Sequence, residues 1–191
     1  RQMCIRDSRA EQEQAVSQTF DYFMSHEKGE FLWNAKPRFG KTLATYDLCK
    51  RLQSTKGDYA CNILIVTNRP AIANSWYEDF VKFIGTESGF RFVSEVSALK
   101  GKPFVMSREE YTDSLTKELA DCIEFVSLQD LKGSLYFGGQ HDKLKELVNM
   151  QWELLVIDEA HEGVDTSKTD VAFHQIKRNH TLHPVSYTHL E

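Results

Sequence analysis

Two short segments restrict what this chain can fold into more than anything else in it. The first is Ala35-Lys-Pro-Arg-Phe-Gly-Lys-Thr42, which follows the pattern G-x-x-x-x-G-K-[ST] with Ala35 at the first glycine. The second is Leu154-Leu-Val-Ile-Asp-Glu-Ala-His161, an apolar run that ends on two adjacent carboxylates. The first needs a strand leading into a tight loop, then a helix whose N-terminal amides face an anion. The second reads as a buried strand with Asp158 at its C-terminal edge, where open α/β sheets bind their ligands. A parallel α/β sheet brings both segments to one edge, and the 116 residues between Lys41 and Asp158 leave room for intervening strand–helix units.

The chemistry follows from the residue types. Gly40 lets the backbone approach phosphates, the loop from Ala35 through Phe39 offers amides, and Lys41 neutralises β/γ charge. Thr42 and Asp158 supply oxygens to Mg²⁺, and Glu159 is placed to polarise an attacking water. Pro37 and Arg38 stiffen and charge the loop, and Arg38 is a further phosphate contact. Taken alone, G-K-T could fall in any turn, and Asp158 with Glu159 could merely cap a helix. Together they describe a site for ATP and Mg²⁺.

Hydrophobic spacing sets out the rest. Helices are predicted over Arg9–Met24 (Val16, Phe20, Phe23 and Met24 inward), Lys41–Leu52, Ala71–Ile84, Lys143–Met150 and Ser167–Ile176. Strands are predicted over Glu30–Ala35 (buried), Asn62–Thr67, Arg91–Val96, Cys122–Ser127 and Glu153–Asp158, with another beginning at His180–His183. Ser97–Asp121 reads as a polar surface excursion with one helix from Ser107.

Composition excludes several classes. A chain of 191 residues that is 41% hydrophobic can bury a core, and the length fits one domain. A formal charge of −5 argues against a strongly basic nucleic-acid module, although not against a motor that grips phosphates locally. Cys4, Cys49, Cys61 and Cys122 contain no C-x-x-C, which fits a reduced, cytoplasmic compartment. No apolar run is long enough for a membrane span. None of the seven histidines pairs in a metal-ligand motif such as H-E-x-x-H.

Both ends carry a different signature. Met3-Cys-Ile-Arg-Asp-Ser8 is what the transposon mosaic-end oligonucleotide ATGTGTATAAGAGACAG encodes, with Ser8 completed by one further base. Val185-Ser-Tyr-Thr-His-Leu190 is the translation of its reverse complement. Residues 1–8 and 185–191 are therefore read as adapter-derived and set aside from fold reasoning, leaving 9–184 as the domain, incomplete at its C-terminal end.

The order of the segments resembles the first RecA-like domain of superfamily-two DEAD/DEAH-box helicases and translocases, in the branch that includes the Res subunit of type III restriction enzymes. Arg9-Ala-Glu-Gln12-Glu-Gln-Ala15 resembles the adenine-reading segment R-x-x-Q-x-x-A, and Ala35–Thr42 resembles motif I. Thr67-Asn-Arg69-Pro70 resembles motif Ia, Phe125-Val-Ser127-Leu-Gln129 a later strand-track segment, and Asp158-Glu-Ala-His161 motif II. By this resemblance Gln12 reads the adenine edge. Arg69, Pro70, Ser127 and Gln129 lie along nucleic acid, and His161 couples nucleotide state to a partner domain. Read without the family, Gln12 is a solvated helix residue, Arg69-Pro70 a helix entry, Ser127 and Gln129 strand-end caps, and His161 a surface histidine.

The resemblance implies a DNA-dependent ATPase, a helicase or translocase of a restriction-type system acting on double-stranded DNA. It also implies a second RecA-like domain, absent here with its arginine finger, and a nuclease or methyltransferase domain or subunit. This chain alone is then expected to be inactive in turnover. The alternatives are an RNA helicase motor, a nucleotide-dependent binding module without turnover, which would need no base at Glu159, and a small-molecule P-loop kinase, against which the strand-track segments and the Asp-Glu-Ala-His quartet speak.

Overall fold

A computed structural model describes residues 10–26, 29–35, 38–85, 88–115, 120–158 and 181–188. The elements are α1 (Ala10–Ser25), β1 (Phe31–Asn34), α2 (Lys41–Thr55), β2 (Asn62–Thr67), α3 (Ala73–Phe83), β3 (Phe90–Val93), β4 (Val105–Met106), α4 (Arg108–Leu115), β5 (Asp121–Ser127), α5 (Leu128–Gly133), α6 (Lys145–Asn149), β6 (Trp152–Asp158) and β7 (Thr181–Thr188). The strands form one sheet in the order β1-β7-β6-β2-β5-β3-β4, and every neighbouring pair is parallel. This is the α/β, RecA-like arrangement expected of the sequence.

β2, β5 and β6 are near-continuous apolar runs because helices cover both faces of the sheet. Ile63, Ile65, Ile123, Phe125, Leu154 and Val156 pack on one face beneath Val16 and Phe23 of α1, Leu48 and Leu52 of α2, and Trp76 and Phe80 of α3. Leu64, Val66, Val126, Leu155 and Ile157 pack on the other face against Tyr111 of α4, Leu131 of α5 and Leu147 of α6. Alternate residues of each strand thus feed two separate cores.

Some expectations need correcting. β1 is an edge strand, not a buried one: Leu32 is 59% exposed, and within β1 only Trp33 is buried. Met24 faces solvent at the end of α1 and is replaced in the core by Thr19. The helix after β2 opens with a 3₁₀ turn at Pro70–Ile72. The excursion after β3 contains β4 as well as α4, which starts with a reciprocal capping box: Ser107 N–H donates to Glu110 Oε2 (2.7 Å), and Glu110 N–H to Ser107 Oγ (3.1 Å). α5 was not anticipated, and α6 is shorter than its pattern because Leu144 turns left-handed at φ 66°. The helix predicted over Ser167–Ile176 lies outside the described residues. β7 runs on through Val185–Thr188, pairing with β1 from Phe31↔Val185 to Asn34↔Thr188. Val185, Tyr187 and Thr188 are good strand formers whatever their origin.

Candidate nucleotide site

The site is assembled by strand register. Thr67 of β2 stands opposite Ser127 of β5 and opposite Asp158 of β6, so three central strands end at one level. The phosphate loop enters from β1, and α2 begins at Lys41. Gly40 lies in the left-handed region (φ 84°, ψ 46°), a conformation costing an L side chain about 1–2 kcal/mol. A Cβ there would also collide with the amide of Gln12. α2 has no side-chain cap, so its first-turn amides are not taken by a capping residue.

Lys41 Nζ donates to Asp158 Oδ1 at 3.1 Å, with side-chain exposures of 18% and 6%. This joins the first segment to the second. Thr42 is half-buried on the first turn of α2. Ala35 is buried where the loop leaves β1. Arg38 is exposed on the loop at φ 66°. Gln12 is 5% exposed, and its Nε2 donates to Phe39 O and, at 3.5 Å, to Gly40 O. It is thus a buried α1 side chain laid across the loop rather than a solvated one. Glu159 and His161 lie outside the described residues, as do Lys36 and Pro37.

The residues expected along nucleic acid divide. Arg69 is exposed, and its N–H donates to Thr67 Oγ1 (3.1 Å), while Pro70 opens the 3₁₀ turn. Gln129 is exposed on α5. Ser127 is buried and caps α5, accepting from Asp130 N–H (3.0 Å) and donating to Asp130 Oδ2 (2.6 Å). Behind these strand ends Glu124 is fully buried beside Arg108, which also meets Glu146 Oε1 at 3.1 Å. Burial pushes the Glu124 carboxyl up to about 7 despite the opposing pull of Arg108, and Oε2 has no hydrogen-bond partner among the described residues.

Trp33 and Thr19 belong to no motif, yet they stand against the loop through the ring of Phe39. Their signal was the one buried position on a strand running straight into the loop, facing the i, i+7 partner of Gln12 on α1. Among the described residues no helix is long and apolar enough to cross a membrane, and no cluster of three His, Cys, Asp or Glu could hold a metal alone.

The chain matches the family described as type III restriction enzyme, res subunit, over residues 6–183. It belongs to that family. A Mycoplasma pneumoniae protein named as a type II restriction enzyme and methyltransferase (C-terminal part) is 25% identical over 180 residues, covering 91% of this chain and 22% of its own length. Among solved structures, a nuclease-deletion mutant of the Type ISP restriction-modification enzyme LlaGI, in complex with a DNA substrate mimic, superposes with a TM-score of 0.72. It is 15% identical, over 95% of this chain and 17% of LlaGI. The Sulfolobus solfataricus SWI2/SNF2 ATPase core in complex with double-stranded DNA superposes at 0.61, with 16% identity over 97% of this chain and 32% of the other. The fold of this Res-family chain is therefore that of a helicase-type motor domain, and the chain spans about a fifth of the curated relative it matches.

Proposed function

We propose that this chain is the ATP-binding half of a DNA-dependent ATPase, a helicase or translocase motor of a restriction system. The observation that carries the reading is the 3.1 Å contact of Lys41 with Asp158, which brings the loop cation to the strand-end carboxylate over the left-handed Gly40. Lys41, the loop from Ala35 to Gly40 and the N-terminus of α2 bind the polyphosphate, with Arg38 as a further phosphate contact. Gln12 reaches the adenine side. Glu159 orients the water that attacks the γ-phosphate, and His161 couples the site to a partner domain.

The donor set suits Mg²⁺, which is held by one or two carboxylates together with substrate phosphates rather than by an all-protein cage. Thr42 and Asp158 are those donors, and Mg²⁺ bound there would neutralise charge on the transferred phosphoryl group.

Arg69, Pro70, Ser127 and Gln129 form the nucleic-acid side at the ends of β2 and β5, with double-stranded DNA as the ligand. The DNA-bound state of both structural neighbours supports this choice over RNA. A second RecA-like domain and a nuclease or methyltransferase complete the machine outside this chain. The small share of LlaGI and of the Mycoplasma relative that the chain covers supports that, as does the relative's name. Residues 9–184 carry the domain, nearly all of which lies within the family match over 6–183.

The test is phosphate release by a longer protein that carries this domain and its natural continuation, with duplex DNA or RNA added. Duplex DNA is expected to stimulate turnover, and Glu159→Gln to abolish it while leaving nucleotide binding intact. Stimulation by RNA alone, or turnover insensitive to Glu159→Gln, would contradict the reading. The 191-residue chain alone is expected to release phosphate at background.

A further inference from the structure

Trp33 is 4% exposed on an edge strand whose flanking residues Leu32 and Asn34 face solvent. Its indole N–H donates to Thr19 Oγ1 at 2.7 Å, and that hydroxyl donates to Ala15 O at 2.7 Å. Thr19 thus uses its acceptor on the indole and its donor on α1, in a site fully shielded from water. The indole also stands edge-on to the ring of Phe39, with centroids 6.3 Å apart and planes at 74°. Phe39 precedes Gly40, and its carbonyl accepts from Gln12 Nε2. Gln12 and Thr19 lie seven residues apart, two turns along one face of α1. One helix therefore holds Phe39 twice: by its carbonyl through Gln12, and by its ring through Trp33 and Thr19.

We infer that Trp33 is a positioning residue for nucleotide binding, holding the phosphate loop in shape through Phe39 while touching no nucleotide atom itself. This rests on the nucleotide reading of the site. The geometry favours it over a simple packing role. Aromatic packing alone would leave the indole N–H indifferent, whereas here it is tied to the helix that also carries Gln12. An orientationally fixed indole presents a fixed edge to Phe39, and Phe39 leads directly into Gly40, the residue that must keep a left-handed backbone for α2 to start at Lys41. Loosening the indole frees the residue before Gly40, so binding has to supply the order that the fold now supplies.

The test is calorimetric titration of the 191-residue chain with Mg·ADP, alongside thermal melting. Trp33→Phe and Thr19→Val are each expected to weaken binding about three- to tenfold, the range of one aromatic or buried polar contact. Thr19→Ser, which keeps the hydroxyl, is expected to restore wild-type affinity. Should the core variants fail to fold, Phe39→Leu on the half-buried loop carries the test, with the same loss of affinity at a melting temperature near wild type. Tryptophan emission supplies a readout that mere packing would not move. Mg·ADP should change it in the wild type and leave it unchanged in Trp33→Phe, although Trp76 and Trp152 remain. Lys41→Ala separates the two claims. If Lys41→Ala abolishes binding while Trp33→Phe, Thr19→Val and Phe39→Leu bind as wild type, the positioning role is overturned and the nucleotide site stands. If wild type and Lys41→Ala bind alike, the nucleotide site itself fails, and the positioning role with it.

Discussion

Lys41 and Asp158, the first residue of α2 and the last of β6, meet at 3.1 Å across the C-terminal edge of the sheet. The contact joins the two segments that dominate the sequence, and it divides their labour. In the proposed site Lys41 faces phosphate charge and Asp158 faces the metal. Asp158→Asn is therefore expected to keep the shape of the site and remove the metal's carboxylate. Titration with ADP in Mg²⁺ and in EDTA should show a clear Mg²⁺ enhancement in the wild type and little or none in Asp158→Asn. A variant that keeps the full Mg²⁺ enhancement would place the metal elsewhere.

Gln12 holds the loop, and in the proposed site it also faces the adenine side. Its Nε2 donates to the carbonyls of Phe39 and Gly40, so Gln12→Ala should weaken ATP and GTP together by about three- to tenfold, the worth of a buried hydrogen bond or so. Any loss confined to ATP then measures a base contact on top of the loop contact. Competition of the two nucleotides against a fluorescent analogue reads both quantities. Unchanged affinity for both would show that the loop keeps its shape without Gln12.

Much of this site was legible before the structure because motifs I and II state their own geometry. A strand must deliver the loop, a helix must leave it, and an apolar strand must end on Asp158. Register did the rest, since Thr67, Ser127 and Asp158 align only if β2 lies between β5 and β6. What stayed hidden depended on tertiary position. The pattern of β1 resembles a buried strand, yet its place at the sheet edge leaves Leu32 in solvent. Thr19 reads as a polar helix residue until the Trp33 indole of the next strand folds back to use it. β4 is only two residues long, and a pair of apolar residues carries no period.

Ser127 shows why a residue proposed to lie along nucleic acid needs a control. Its hydroxyl caps α5, so Ser127→Ala should cost about 1 kcal/mol of stability through the lost cap alone. Ser127→Asn restores a capping side chain but changes the group offered to a nucleic-acid backbone. Thermal melts of the two variants should differ, with Ser127→Asn nearer the wild type. Equal destabilisation by both would mean that Ser127 is valued for something other than its cap.

Glu124 gives the fold a pH signature. Burial raises its carboxyl to about 7, above the ordinary glutamate value, so between about 4.5 and about 7 the folded state holds a proton that the unfolded state has released. Its contribution to stability is greatest below that window and declines as pH rises through it. Glu124→Gln removes the titration. The stability difference between wild type and Glu124→Gln, from urea unfolding at pH 5 and pH 8, should shift against the wild type on going to pH 8. A difference independent of pH would mean that Arg108 keeps Glu124 charged throughout.

The central claim is that Lys41 and Asp158 frame a nucleotide site, and Mg·ADP calorimetry on the wild type and Lys41→Ala tests it most directly. The wild-type chain should bind Mg·ADP weakly but measurably, because the proposed phosphate contacts lie within these residues. Lys41→Ala should remove most of that binding while the chain still melts cooperatively. Equal affinity in the two proteins would contradict the account.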